Sequence, residues 1–234
     1  MSGIDLEPDV MGYGNFASVE GCAVKVAFEA ALRTHSTLPA EVRAIPGMSG
    51  QRYRTFINML IATLPEPRYL EVGSWPGSTA AAAVCGNDVR AVCIDNWSQF
   101  EGSADAKKAQ FFGNIDKVNG AGAVRLIEQD YRDVDYRTLG KFNVYMFDGP
   151  HSEADQEQGI VIARPALHDR FVLIIDDWNW HCVRIGTKRG LAKARYVPEA
   201  CIQVRTTHDE SHPTVACERS DWHNGYCFVV ARKQ

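Results

Sequence analysis

From residue 51 onward, two hydrophobic periods alternate along the chain. In "QRYRTFINMLIATL", Tyr53, Phe56, Ile57, Leu60, Ile61 and Leu64 recur at the spacing of one helix face, which predicts an amphipathic helix. Pro65 and Pro67 stop it,. "RYLEVG", "VRAVCID", "AVRLIEQD", "FNVYMFD" and "RFVLIID" then read as short strands. Between them "STAAAAVCG", "SADAKKAQFFGNIDKV" and "SEADQEQGIVIARPAL" read as helices, the last cut short at Pro165, and a short helical turn precedes "FNVYMFD",. "WHCVRIGTKRGLAKA" is a further helix. "CIQVRTT" and "GYCFVVARK" close the chain with no helix between them, as expected of an antiparallel pair.

The strands at 142–147 and 171–175 are apolar at consecutive positions. Such strands are buried on both faces, as in a mostly parallel sheet covered by helices. The expected class is therefore α/β. Right-handed crossovers place all parallel strand C-termini on one edge, and ligands bind along that edge. Glu71, Asp95, Asp130, Asp148 and Asp176 fall at or just inside predicted strand C-termini, so five acidic groups face one rim. Residues 51–234 read as this one domain. Residues 1–50 read as an N-terminal helical extension or lid: "SVEGCAVKVAFEAALRTH" has helical propensity, and "TLPAEVRAIPGMSG" is a loop punctuated by Pro39, Pro46, Gly47 and Gly50,.

A net charge of −4 with no long basic stripe argues against nucleic acid and anionic membrane as partners,. Lys188, Arg189, Lys193 and Arg195 read as a solvated helix face. The seven cysteines are scattered without a CxxC pair, which points to a reducing, cytoplasmic setting. No secretory signal is visible at the N-terminus, and no apolar run approaches a bilayer span of roughly 20 residues. The sequence leaves room for a homo-oligomer.

"LEVGSWPGST" joins the first strand of the domain to its helix. Counted as G-x-G-x-x-G from Gly73, the second glycine position holds Trp75 and the third Ser78. An indole there opposes close approach of a pyrophosphate, which disfavours a nicotinamide dinucleotide. No P-loop is present. Asp95 stands about twenty residues on, where an acid binds ribose hydroxyls. A ligand with ribose and adenine, a cationic centre and no phosphate suits this acidic rim, and S-adenosylmethionine is one.

"LEVGSWPGST" resembles the first motif, E-x-G-x-x-x-G, of the class I S-adenosylmethionine-dependent methyltransferases, and "VCIDNW" resembles their second. The resemblance covers about residues 50 to 234. It implies a Rossmann-like seven-stranded sheet, mostly parallel with an antiparallel last strand. It also implies a cofactor site at Glu71, Gly73, Ser74, Trp75, Gly77, Ser78, Thr79, Asp95, Asn96, Trp97, Asp130 and Asp148.

Methyl transfer to a hydroxyl needs a base or a Lewis acid. Asp148, Asp176 and Asp177 end two strands expected to be neighbours, and hard oxygen donors so placed suit Mg²⁺. "FDGPH" and "IIDDWN" resemble the metal motifs of the metal-dependent O-methyltransferases, the catechol-type and macrolide-sugar tailoring enzymes. That resemblance implies Mg²⁺ on Asp148, Asp176 and Asp177, and His151 as general base in a D-x-x-H arrangement. The bland alternatives are that Asp176 and Asp177 cap the next helix and that His151 is a first-turn helix residue. His181, His208, His212 and His223 have weaker cases. Trp178, Trp180 and Trp222, with Tyr13 and Phe16, are candidates for the wall of an acceptor pocket. The reading is an O-methyltransferase acting on a small hydroxylated molecule. A same-fold tailoring enzyme with another reaction and a non-catalytic cofactor-binding protein are the alternatives.

Overall fold

The computed structural model describes residues 8–33, 38–99, 102–118, 120, 122–213 and 220–234. Cys217 and preamble residues 1–7 and 34–37 lie outside them. The strands are β1 (Asp9–Gly14), β2 (Arg68–Val72), β3 (Arg90–Ile94), β4 (Val124–Ile127), β5 (Phe142–Phe147), β6 (Leu167–Ile175), β7 (Tyr196–Arg205) and β8 (Tyr226–Lys233). The helices are α1 (Val19–Arg33), α2 (Ala40–Arg43), α3 (Gln51–Thr63), α4 (Ser78–Val84), α5 (Ala104–Asp116), α6 (Glu153–Ile162) and α7 (His181–Lys193).

All strands join one sheet in the order β1-β7-β8-β6-β5-β2-β3-β4. Strands β2 to β6 pair in parallel, and β8 runs antiparallel to both β6 and β7. The expected mostly parallel sheet with an antiparallel last strand is therefore present. Among the described residues the count is corrected from seven to eight: β1 adds an antiparallel edge strand on β7, with Asp9 opposite Arg205 and Gly14 opposite Ala200. "DVMGYG" gave no strand signal because it is exposed at every position and carries two glycines, so it shows no alternation,. Its hydrogen bonds to β7, not its side chains, make it a strand.

The central strands bury both faces. On one side Tyr69, Cys93, Val144, Met146, Ile174 and Phe228 pack beneath α1, α3, α4 and α5. On the other, Leu70, Ile94, Tyr145, Phe147, Ile175 and Val229 pack beneath α6 and α7. The preamble helix α1 belongs to the first layer. Val24, Ala27 and Ala31 are fully buried, and Phe28 stacks on Trp222 with centroids 5.3 Å apart. Pro165 ends α6 as expected, in a short 3₁₀ turn.

The ladder continues one residue past the strands. Gly73 N–H donates to Ile94 O (2.9 Å), Asp148 N–H to Val72 O (2.9 Å) and Asp95 N–H to Ile127 O (3.2 Å). The loops that follow β2, β3 and β5 are thereby held side by side at one edge. Among the described residues, no helix is long and apolar enough to cross a membrane.

If α1 is a layer of the core, truncating Phe28 carries a core penalty. Phe28→Ala is expected to cost about 3 kcal/mol, read as a lowered denaturation midpoint; an unchanged midpoint would show that α1 can detach without cost.

Candidate active site

The loop after β2 is built by close approach. Gly73 has φ +86°, and a Cβ there would sit 1.7 Å from the carbonyl oxygen of Asp148. Only glycine satisfies both conditions. Trp75 and Trp97 also have positive φ, 39° and 50°, a conformation that non-glycine residues keep only when the surroundings enforce it. Asp95 does so here. One carboxylate oxygen accepts from Trp75 N–H (2.7 Å) and the other from Trp97 N–H (2.6 Å), while Trp97 Nε1 donates to Trp75 O (3.1 Å). Asp95 thus clamps the β2 and β3 loops together, and each of its oxygens keeps a second lone pair for a ligand.

These loops wall a cleft of about 930 Å³, its open mouth included. Gly73, Ser74, Trp75, Ser78 and Thr79 line it from the first loop, and Asp95, Asn96 and Trp97 from the second. Asp130, Asp148 and His151 complete the expected lining. Gly77 stands behind the loop against Phe111. Glu71 is fully buried beneath the cleft, where it accepts from the Tyr69 hydroxyl. Burial pushes its carboxyl up to about 7, with the Tyr69 and Ser74 hydroxyls opposing. Met48, Ser49, Gln129, Tyr131 and Arg132 also line the cleft, and nothing in their sequence pattern marked them. Arg132 pairs with Asp130 and Asp155, so its charge is already answered.

The second cluster sits where β5 and β6 end. Asp148 is half-buried at the cleft, whereas Asp176 and Asp177 are buried and do not line it. Burial, then the carboxylates of Asp176, Asp177 and Glu71, raise the Asp148 carboxyl well above the usual range. Burial and Asp177 do the same to Asp176, whose Oδ1 has no hydrogen-bond partner. Asp177, at φ 53°, accepts from Asn224 Nδ2 at 2.7 Å and lies 3.1 Å from His151 Nε2. His151 is also 3.7 Å from Asp148. Burial lowers the His151 pKa below 6.5 despite Asp177 and Asp155, and His212 adds to the fall.

The three aspartates read as metal ligands are therefore brought together, but not as a ready ligand set. Among the described residues, no three His, Cys, Asp or Glu side chains stand arranged to hold a metal ion. Asp177 is instead turned toward His151 and Asn224. The capping alternative does not apply: α7 begins after Trp180, with no side-chain cap. His151 precedes α6, whose cap is Ser152. Trp180 packs edge-on to His151 (5.4 Å) and to His212 (5.0 Å), beside the cluster. Trp178 and Trp222 are buried in the two core layers and do not line the cleft. Phe16 packs on the first core layer, and Tyr13 is exposed on β1.

Residues 70–178 match the family model described as a methyltransferase domain. No curated protein matches the sequence. Among solved structures, TrmN from Thermus thermophilus is 13% identical, with 82% of this chain and 52% of that one covered and a TM-score of 0.54. This chain therefore spans about half of its length. Cofactor-bound Rv0187 from MTB is 16% identical over 93% of this chain and 92% of that one, with a TM-score of 0.57. The O-methyltransferase TomG from Streptomyces achromogenes, involved in tomaymycin synthesis and solved with SAM, is 12% identical over 94% and 92%, with a TM-score of 0.55. Such likeness concerns the fold.

The burial of Glu71 has a measurable consequence. Its raised pKa means that the native state holds a proton which the unfolded chain releases near pH 4.5. Stability therefore falls as pH rises from about 4.5 to about 7 and levels off above,. The contribution is about 3 kcal/mol, the free energy that separates the two titration points,. In denaturant melts across this range, Glu71→Gln is expected to gain stability relative to wild type as pH rises; a constant difference would rule out a titrating Glu71.

Proposed function

We propose, on the premise that the chain carries a methyltransferase domain on the class I fold, that it transfers a methyl group from S-adenosylmethionine to a hydroxyl of a small molecule, with Mg²⁺. The observation that carries this reading is the continuity of the cleft from the Asp95 clamp to Asp148 and His151. It supports a cofactor at one part of the cleft and proton chemistry at another. Asp95 favours a ligand bearing a sulfonium and an ammonium and repels a polyphosphate. The spare lone pairs of Asp95 suit the ribose hydroxyls.

His151 is the base in this reading. It is neutral near pH 7, and with its Nε2 facing Asp177 at 3.1 Å the Nδ1 lone pair remains for the acceptor's proton. Asp177 then orients the ring and offsets the charge that forms, as the acid of a triad does. Bound in the cleft, S-adenosylmethionine would supply a methyl group on a sulfonium, which would pass to the acceptor oxygen as the carbon–sulfur bond pair leaves on sulfur as a neutral thioether. The hydroxyl proton ends on His151.

Asp148 and Asp176 would hold the cation, joined by Asp177 through a lone pair that its contacts with Asn224 and His151 leave over,. They supply the hard oxygen donors that Mg²⁺ takes, and the partnerless Oδ1 of Asp176 and the mutual repulsion of the carboxylates fit a cation among them,. When bound, Mg²⁺ acidifies a coordinated hydroxyl.

Calorimetry with S-adenosylmethionine, against NAD as control, tests the cofactor. Transfer of a labelled methyl group to a panel of small hydroxylated acceptors tests the reaction. His151→Ala is expected to lower kcat by about 10²–10⁴-fold, and a full rate in that variant removes the base assignment. Asp148→Ala and Asp177→Ala are expected to abolish the Mg²⁺ response. Turnover that is indifferent to chelator in the wild type rejects the metal.

A further inference from the structure

Tyr226 opens β8 and is fully buried. Across β6 and β8, Ile174 pairs with Phe228 and Ile175 with Cys227. One further step of that register sets Asp176 opposite Tyr226. Both share the parity of Ile174 and Phe228, so both face the layer of α1 and α3,. Among the described residues, neither Tyr226 Oη nor Asp176 Oδ1 has a hydrogen-bond partner. A buried donor and a buried acceptor thus stand opposite each other unanswered, which is rare enough to need a reason. Burial, then Asp176, raises the Tyr226 phenol well above its usual range, so the hydroxyl keeps its proton and stays a donor,. Its ring is fixed. Tyr53 of α3 stacks on it with centroids 3.9 Å apart and planes 7° apart, Phe228 lies parallel at 6.0 Å, and Trp222 packs against it edge-on at 6.4 Å. Aromatic packing therefore sets where the oxygen sits.

We propose that Tyr226 is the positioning residue of Asp176: its hydroxyl holds one carboxylate oxygen when a divalent cation takes the other. The assignment rests on the cation reading above and adds a residue from a strand that carries none of the metal-ligand candidates. A carboxylate has two oxygens, so Asp176 can serve a cation and a phenol at once. A ligand carboxylate held through only one oxygen is free to turn, and a hydrogen bond to the second oxygen fixes its direction. The other acids already show such partners. Glu71 has the Tyr69 hydroxyl, and Asp177 has Asn224 at 2.7 Å. For Asp176, the hydroxyl of Tyr226 stands directly across the strands. Without a cation, repulsion from Asp148 and Asp177 competes with that bond; a cation among the three removes the repulsion and lets the carboxylate settle against the phenol.

Tyr226→Phe keeps the ring and its stack on Tyr53 and removes only the oxygen. Mn²⁺ serves as the probe, because the loss of its free paramagnetic resonance signal reads binding without cofactor, acceptor or turnover. Wild type is expected to take up Mn²⁺, and Tyr226→Phe to bind it about 10–100-fold more weakly, the usual cost of losing a partner that orients a metal ligand. The metal-free denaturation midpoint of the variant is expected to hold or rise, because the hydroxyl it removes is buried and unpaired. Wild-type Mn²⁺ affinity in Tyr226→Phe overturns the assignment. So does a loss of affinity accompanied by a fall in the metal-free midpoint, which marks the hydroxyl as a structural bond. A wild type that takes up no Mn²⁺ removes the cation reading itself, and this assignment with it.

Discussion

Repulsion among carboxylates at one sheet edge is the constraint around which the rest of the site is arranged, and strand register creates it. Phe147 pairs with Ile175 across β5 and β6, so Asp148 and Asp176 emerge side by side on adjacent strands. Glu71 pairs with Met146 across β2 and β5, which places it on the same face one pleat step before Asp148,. Glu71, Asp148 and Asp176 share the parity of Tyr69, Met146 and Ile174 and so face the layer of α1 and α3,. Asp176, Asp177 and Glu71 raise the proton affinity of Asp148, and Asp177 raises that of Asp176. The surrounding structure answers with donors: the Tyr69 hydroxyl to Glu71, Asn224 to Asp177, and the His151 ring against Asp177. Such crowding in a polar-poor interior is costly unless it serves binding or chemistry.

Much of this was legible in the sequence because it follows from periodicity. The apolar runs at 142–147 and 171–175 could only be strands buried on both faces, and parallel strands so buried must end together. The gathering of Asp95, Asp148 and Asp176 at one edge then followed from position alone. Side-chain direction did not. Asp176 and Asp177 are consecutive, and the strand rule sends them to opposite sides. The turn at Asp177, with its positive φ, instead aims that carboxylate at His151. Nothing in "IIDDWN" announces a left-handed residue, because no glycine or asparagine stands at that position.

What stayed hidden has a common cause: it depends on backbone hydrogen bonds or on contacts distant in the chain. Strand β1 exists through its pairing with β7 and buries no side chain. Met48 and Ser49 reach the cleft because Arg54 gathers their loop, a partnership among polar atoms that leaves no hydrophobic signature. The glycines and prolines of that stretch read as a loop, and the structure places the four-residue helix α2 within it. They could not show that Gly47 is there to let a serine approach.

The return segment Ser220–Gly225 explains how these separate parts hold one geometry. At its start, Ser220 O and Asp221 O accept from the N–H groups of Gln51 and Arg52, which open α3. In its middle, Trp222 is buried against Phe28 of α1. At its end, Asn224 O and Gly225 O accept from Asn179 and Trp178, and the Asn224 side chain holds Asp177. One short segment therefore fastens the base of the Arg54 helix to the turn that carries the second carboxylate cluster. The preamble and the last hairpin of the chain thus meet at the same scaffold. Trp222 and Asn224 link α1 to Asp177, while Arg52 of α3 donates to the α1 carbonyls of Leu32 (2.8 Å) and Ala31 (3.5 Å), so the N-terminal helix is tied to both sides of the site.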